Sequence, residues 1–203
     1  QHLCEWSKLA DLFERQSLLI HTQPLAKIIP FTLLPVPSTP AEQLACARNW
    51  VANCLAPITC LRQGLGFHFR KRAKQKLRVG YLSADFRQHP VACLIAEVFE
   101  LHDRSSVEVV AYSYGPDDGS ELRKRLSCAC DRFVDIGSAA FADAARCIYQ
   151  DGIDILVDLQ GYTRLARTQI AALRPAPIQV NYLGYPGTMG ADFIDYIVTD
   201  RFI

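Results

Sequence analysis

The sequence is short of several things, and each shortage closes a class of function. It has no long uninterrupted apolar run: the best stretch, 18–34, is broken by His21, Gln23, Pro24, Lys27 and Pro30. Crossing a bilayer takes about 18 apolar residues, so no membrane span is expected. It has no excess of one charge, with 22 Lys+Arg against 21 Asp+Glu and a formal net charge of +1; a dedicated nucleic-acid binder would show a strong basic excess. It does not begin with Met, and a basic segment followed by an apolar one, the mark of a secretory leader, is missing from its start. A chain cut from something longer, or processed, is the expectation. No internal repeat or low-complexity tract is visible.

What is present points to a globular domain. The chain has 203 residues, half of them apolar, enough for one full domain with an appendage and a real core. Its eight cysteines are scattered at 4, 46, 54, 60, 93, 128, 130 and 147. A domain of this size needs no disulfide staples, so a reducing cytoplasm is expected. Cys93 and Cys147 sit among apolar neighbours and read as small hydrophobes. Cys128 and Cys130 form a C-x-C, but no second pair or His lies at ligand spacing, so zinc is not expected.

The first 76 residues read as a helical linker segment. Leu3, Trp6, Leu9, Leu12, Phe13, Leu19 and Ile20 recur at helical spacing over 1–23, with Pro24 as the stop. Pro30, Pro35, Pro37 and Pro40 then exclude a sheet interior. Ser38 or Thr39 is placed to cap a second helix with Pro40 at its first position, running to about Leu55. Residues 62–78 carry Arg62, Arg70, Lys71, Arg72, Lys74, Lys76 and Arg78 and no acid. Such a run serves a nucleic-acid or membrane patch, or a solvated linker; its shortness and the lack of a recognisable nucleic-acid module favour the linker.

From 77 to 203 short β-rich runs alternate with helical ones. The strands fall at 78–83, 107–112, 132–136, 154–158, 178–183 and 196–199, and the helices at 90–101, 119–126, 138–150 and about 167–173. Alternation of this kind predicts an α/β fold, a Rossmann-like doubly wound parallel sheet covered on both faces. Ligands bind beyond the carboxyl ends of the strands of such a sheet. The candidate loops are therefore 83–89, 114–119, 159–167 and 183–190.

The first of these is not G-x-G-x-x-G, so a dinucleotide is disfavoured. Pro90 pushes His89 toward extended dihedrals at the start of a helix, where the dipole favours neutral imidazole. Neutral imidazole suits a general base or a hydrogen-bond acceptor. Asp85, in the same loop, either orients His89 or acts itself; capping and packing are the plain alternative. The loop 114–119 reads as a turn and cap. The loop after the fourth strand, Asp158-Leu159-Gln160-Gly161-Tyr162-Thr163 with Arg164 and Arg167 beyond, is a polar cluster at a strand end, which plain turn chemistry explains as well. Leu183-Gly184-Tyr185-Pro186-Gly187-Thr188-Met189-Gly190 allows a backbone to approach a ligand, or simply turns sharply.

Together these segments resemble a known family. Leu77-Arg78-Val79-Gly80-Tyr81-Leu82-Ser83-Ala84-Asp85-Phe86 with His89-Pro90 is similar to the start of the catalytic region of the O-GlcNAc transferase (SPINDLY-like) family, glycosyltransferase family 41. So are Tyr114-Gly115-Pro116-Asp117-Asp118-Gly119, Gln150-Asp151-Gly152-Ile153, Gly161-Tyr162-Thr163, Ala172-Leu173-Arg174-Pro175-Ala176-Pro177-Ile178-Gln179 and Leu183-Gly184-Tyr185-Pro186-Gly187-Thr188, in order and spacing from about 77 to 200. The Cys4-Glu5-Trp6 start resembles the family's junction between tetratricopeptide repeats and catalytic region.

The resemblance implies the N-terminal lobe of a GT-B fold, half of an inverting enzyme that moves a sugar, GlcNAc first, from a UDP-sugar to Ser/Thr hydroxyls of proteins. It implies that the UDP-binding lobe lies outside this chain and that the fragment is inactive alone. By position, Asp85 and His89 would be catalytic, near the acceptor hydroxyl and the transferred sugar. Gln88, Pro90, Tyr162, Thr163, Arg167, Leu183, Gly184 and Pro186 would contact substrate. The expected partners are protein acceptors and the UDP-sugar, a substrate rather than a cofactor. No metal is expected, since this lobe has no Asp-x-Asp to hold one. Gln88 stands where animal members have Asn, Val91 where they have Thr, and Pro30-Phe31-Thr32 lacks their paired histidines, so the chain resembles bacterial-type members. The alternatives are a non-catalytic interaction domain of the same fold and a relative using another donor, fucose or glucose.

Overall fold

The computed structural model describes residues 7–23, 25–69 and 76–201. The expectations that rest on Leu3, on Cys4-Glu5-Trp6, on Pro24 and on Arg70, Lys71, Arg72 and Lys74 lie outside the described residues. The chain falls into two compact units, Gln1–Pro57 with Gly187–Ala191 and Ile58–Pro186 with Asp192–Ile203.

The first unit is helical. Helix α1 (Leu9–Thr22) and helix α2 (Pro40–Trp50) are joined through a 3-10 turn, Pro30–Leu33. Thr39 starts α2 with a reciprocal cap: its hydroxyl accepts from Glu42 N at 3.2 Å, while Thr39 N donates to the Glu42 carboxylate at 2.7 Å. Ile20, Leu33 and Cys46 form the small core. The second helix does not end the helical stretch at Leu55. A π-helical segment, Val51–Leu55, is followed by α3 (Ala56–Leu65), most of which belongs to the second unit. Pro57 lies just beyond that π-helical turn: a proline inside a continuous helix lacks the N–H that the carbonyl four residues back would accept, and the wider turn accommodates it.

The second unit is the sheet. Its strands are β1 (Leu77–Ser83), β2 (Val107–Ser113), β3 (Arg132–Asp135), β4 (Ile155–Asp158), β5 (Ile178–Tyr182) and β6 (Tyr196–Val198). Their order is β3-β2-β1-β4-β5-β6, every neighbouring pair parallel. Helices α4 (Pro90–Leu101), α5 (Glu121–Ala129), α6 (Phe141–Gln150) and α7 (Thr168–Ala172) follow β1 to β4 in turn.

Alternate strand residues feed two cores. Val79, Tyr81, Val109, Ala111, Val157 and Val180 meet Ala92, Ile95, Phe99 and Leu126 of α4 and α5. Leu82, Val110, Tyr112 and Leu156 meet Ala144, Ile148 and Ile170 of α6 and α7. Both faces of the sheet are thus covered, as a parallel sheet requires. The strand order reverses between β1 and β4, so their carboxyl ends open the crevice where such sheets bind ligands.

Two helix starts differ from expectation. Gly119 has φ +64°, outside the helical region, and Ser120 caps α5 by accepting from Arg123 N. Residues 137–139 turn before α6, with Asp135 Oδ1 accepting from Gly137 N at 2.8 Å. Cys93 is exposed on the outer side of α4 rather than packed, because the inward stripe of that helix is already taken by Ala92, Ile95, Ala96 and Phe99. Part of the expected linker is tied down: Phe67 stacks on Tyr149 at 4.3 Å, and the Tyr149 hydroxyl bonds both His68 N and His68 O. No helix of the described residues is long and apolar enough to cross a membrane.

Candidate active site

The rim of the sheet is polar where its flanks are apolar. Ser83, Ser113, Asp158 and Asn181 end or nearly end four adjacent strands and are all buried. Buried polar groups need partners, and these direct the loops that leave the strands.

The β1–α4 loop is built around Asp85, which is 6% exposed. Asp85 N donates to Ser83 Oγ at 2.9 Å, and Arg87 N donates to Asp85 O at 2.8 Å. The carboxylate receives Arg87 Nη2 on Oδ1 at 3.2 Å. Its Oδ2 receives the amide Nε2 of Gln160, from the β4–α7 loop. His89 Nδ1 lies 3.5 Å from the same oxygen. His89 is the N-cap of α4, extended at φ −153° and ψ 147° as Pro90 demands, and its Nδ1 accepts from Val91 N at 3.2 Å. About a third of the imidazole side chain is exposed.

The loop is also held from the β2 side. Arg123 is buried; its Nη1 donates to Phe86 O at 2.9 Å and Ser113 Oγ at 3.1 Å. Asp118 accepts from Gln88 N at 2.7 Å. That N–H and the Ser120 hydroxyl hold the Asp118 carboxyl at about 2, below the usual carboxylate range. Gly115 is glycine because a Cβ there would overlap the carbonyl of Ala84.

The β4–α7 loop turns on Asp158, whose carboxylate accepts from Gln160 N at 2.9 Å and Gly161 N at 3.1 Å. Burial pushes this carboxyl up to about 6 against those two donors. The Gln160 side chain bridges to Ser83 and Asp85, and Thr163 Oγ1 donates to its carbonyl at 2.7 Å. The β5 loop then closes on the β4 loop. A Cβ on Gly184 would overlap the carbonyl of Leu159, and one on Gly161 would overlap the Tyr185 side chain. Leu183 takes φ +70° inside a three-residue turn closed by Gly184 N to Tyr182 O at 2.9 Å. Leucine is strained in that conformation, and such strain gathers at functional sites.

The loops of Asp85, Tyr162 and Gly184 therefore form a continuous series along one rim of the sheet. The expected residues divide within it. Asp85 and His89 face one another. Gln88 and Pro90 are exposed beside them. Thr163 reaches Asp85 through Gln160. Leu183 and Pro186 line a separate cavity of about 210 Å³ with Ile197, Val198, Thr199 and Asp200. Tyr162 is only 4% exposed and packs edge-on against Tyr185, 5.4 Å away. Arg167 turns the other way: its guanidinium donates to the carbonyls of Ile136, Gly137 and Ala139 and lies over the rings of Tyr114 and Phe141. Arg123 is not singled out by the sequence, and Ser83, Asp158 and Gln160 stand there only as members of the strand-end loops, with no role of their own. The only signal for Gln160 was its place in a polar run at a strand end. Among the described residues, no three His, Cys, Asp or Glu side chains gather as a metal site.

Comparison with known proteins decides the family. The model of "Glycosyl transferase family 41" matches residues 3–203. The chain belongs to glycosyl transferase family 41. Similar family 41 relatives include the Arabidopsis thaliana protein named probable UDP-N-acetylglucosamine–peptide N-acetylglucosaminyltransferase SEC, 37% identical over 215 residues, which cover 100% of this chain and 22% of the relative. The Caenorhabditis elegans UDP-N-acetylglucosamine–peptide N-acetylglucosaminyltransferase is 37% identical over 213 residues, 98% of this chain and 18% of its own length. A solved structure, a mutant of the Thermobaculum terrenum O-GlcNAc transferase, superposes with a TM-score of 0.73 at 30% identity, covering 97% of this chain and 35% of that one. The chain thus spans about a fifth of the two curated family 41 relatives.

Proposed function

We propose that this chain is the N-terminal catalytic lobe of an inverting transferase that moves GlcNAc from UDP-GlcNAc to Ser/Thr hydroxyls of proteins. A second lobe outside this chain holds the UDP. The relatives' names support donor and acceptor class, and one observation carries the reading to this lobe: a buried carboxylate, Asp85, is held beside His89 at the strand-order reversal. The loops bring acceptor and sugar together, which is mostly positioning. The acceptor oxygen bonds to the anomeric carbon as the bond from that carbon to the diphosphate oxygen breaks, and UDP leaves with the electron pair. The hydroxyl proton goes to a base, worth about 10²–10⁴-fold.

The geometry supports Asp85 as that base, directly or through a water. His89 Nδ1 already accepts the Val91 N–H, so the neutral ring carries its one proton on Nε2 and donates there. The UDP-sugar is a substrate; no cofactor and no metal enters this reading. The free thiols of Cys46, Cys54, Cys60, Cys93, Cys128, Cys130 and Cys147 support a reducing, cytoplasmic setting.

The test is transfer from UDP-GlcNAc to protein by the full-length enzyme. Asp85→Asn should lower turnover by about 10²–10⁴-fold. His89→Gln, which keeps an N–H donor, should cost about fivefold, the worth of one hydrogen bond. Turnover unchanged in Asp85→Asn removes the base assignment, and a wild type that transfers no GlcNAc removes the reading.

A further inference from the structure

The amide of Gln160 is the most completely used side chain at the rim. It is 1% exposed, so no solvent stands in for a missing partner. Its Nε2 donates one hydrogen to Asp85 Oδ2 and the other to Ser83 Oγ at 3.1 Å, and its Oε1 accepts from Thr163 Oγ1 at 2.7 Å. The reversed amide would set two acceptors, Oε1 and the Asp85 carboxylate, against each other, so the orientation is forced. Gln160 N, bonded to Asp158 Oδ1 at 2.9 Å, fixes the base of the side chain.

This arrangement has a consequence for the neighbouring imidazole. His89 Nδ1 lies between two groups, Val91 N at 3.2 Å and Asp85 Oδ2 at 3.5 Å. The first can only donate and the ionised carboxylate can only accept, so the proton on the ring decides which bond forms. The longer separation is beyond the usual 2.7–3.2 Å for N–H···O. We infer that Gln160 is a positioning residue: its amide fixes Asp85 Oδ2 at a distance too long for a hydrogen bond to His89 Nδ1, so the Val91 N–H keeps that nitrogen and the imidazole proton stays on Nε2.

Without that amide, Asp85 Oδ2 is a buried acceptor lacking a donor, an unfavourable state for a charged group. Arg87 is already engaged on Oδ1. His89 Nδ1, 3.5 Å away, is a donor to it once protonated. The carboxylate turns to it, the ring moves its proton from Nε2 to Nδ1, and the Val91 N–H is released.

This inference rests on the catalytic reading of Asp85, but its test does not need catalysis. In the full-length protein labelled with 15N-histidine, long-range 1H–15N correlations distinguish the two neutral tautomers, and His89→Gln assigns the signal. Wild type should show the Nε2–H pattern when the ring is in its neutral form. Gln160→Met, close in volume, should show the Nδ1–H pattern, and the double variant with Asp85→Ala should return to Nε2–H. Thr163→Val, which only loosens the amide, should give a mixture and serves if Gln160→Met does not fold. An Nδ1–H pattern in wild type overturns the inference. So does an unchanged pattern in folded Gln160→Met or, failing that, in Thr163→Val. If the tautomer switches as expected while wild type transfers no sugar, the proposed function falls and the positioning role stands.

Discussion

The loops leaving β1 and β4 each bury one carboxylate, and the two are satisfied in opposite ways. Asp158 accepts from two backbone N–H groups. Asp85 accepts from side chains, Gln160 and Arg87, and faces a third, His89. Backbone donors fix the course of a loop and leave the carboxylate no freedom. Side-chain donors tie it to a neighbouring loop and set it beside an imidazole. The same residue type at the same level of the sheet thus shapes a loop in one place and, in the function proposed above, serves as the base in the other.

The sharpest way to break that contrast is to neutralise each carboxylate in the full-length enzyme. Asp85→Asn should cost about 10²–10⁴-fold in turnover at equal concentrations of folded enzyme. Asp158→Asn should retain most turnover when compared at equal concentrations of folded enzyme. Equal losses of turnover would erase the distinction.

The next test is pH. The folded Asp158 carboxyl stands at about 6, above its ordinary 3.8. Between those values the native state holds a proton that the unfolded chain has lost, so stability falls as pH rises from about 4 to about 6. A gap of that size corresponds to roughly 3 kcal/mol. Asp158→Asn should remove that part of the pH dependence in denaturant titrations; parallel curves for wild type and variant would show that burial does not govern this group.

A smaller effect tests whether the third loop belongs to the same series. Gly184→Ala places a methyl on the carbonyl of Leu159 and should cost about 1–3 kcal/mol in thermal or chemical unfolding. A neutral result would separate the β5 loop from the β4 loop. The smallest concerns Arg167. Lysine cannot reach three carbonyls, so Arg167→Lys should lose about 1 kcal/mol of stability with the donor KM unchanged. A large rise in that KM would return Arg167 to the substrate.

The strands and most helices were legible because each carries its own pattern: Val79, Tyr81 and their neighbours form short β-rich runs, and Pro90 opens α4 at the expected residue. The strand ends were legible as the place to look because sheet topology, not side-chain detail, sets it. Asp85 and His89 could be read locally, four residues apart in one loop. Gln160 could not, since its meaning lies in a contact with a residue 75 positions away. The partners of Arg167 could not be read for a related reason: the carbonyls it reaches lie about 30 positions away in sequence.

Gly115 lying over Ala84, with Asp118 on Gln88 N, couples two segments that are distant in sequence. Both contacts fall on backbone atoms of the 84–89 loop, a carbonyl and an N–H that any residue but proline supplies. They therefore leave the side chains of that loop free to diversify, while positions 115 and 118 carry the constraint.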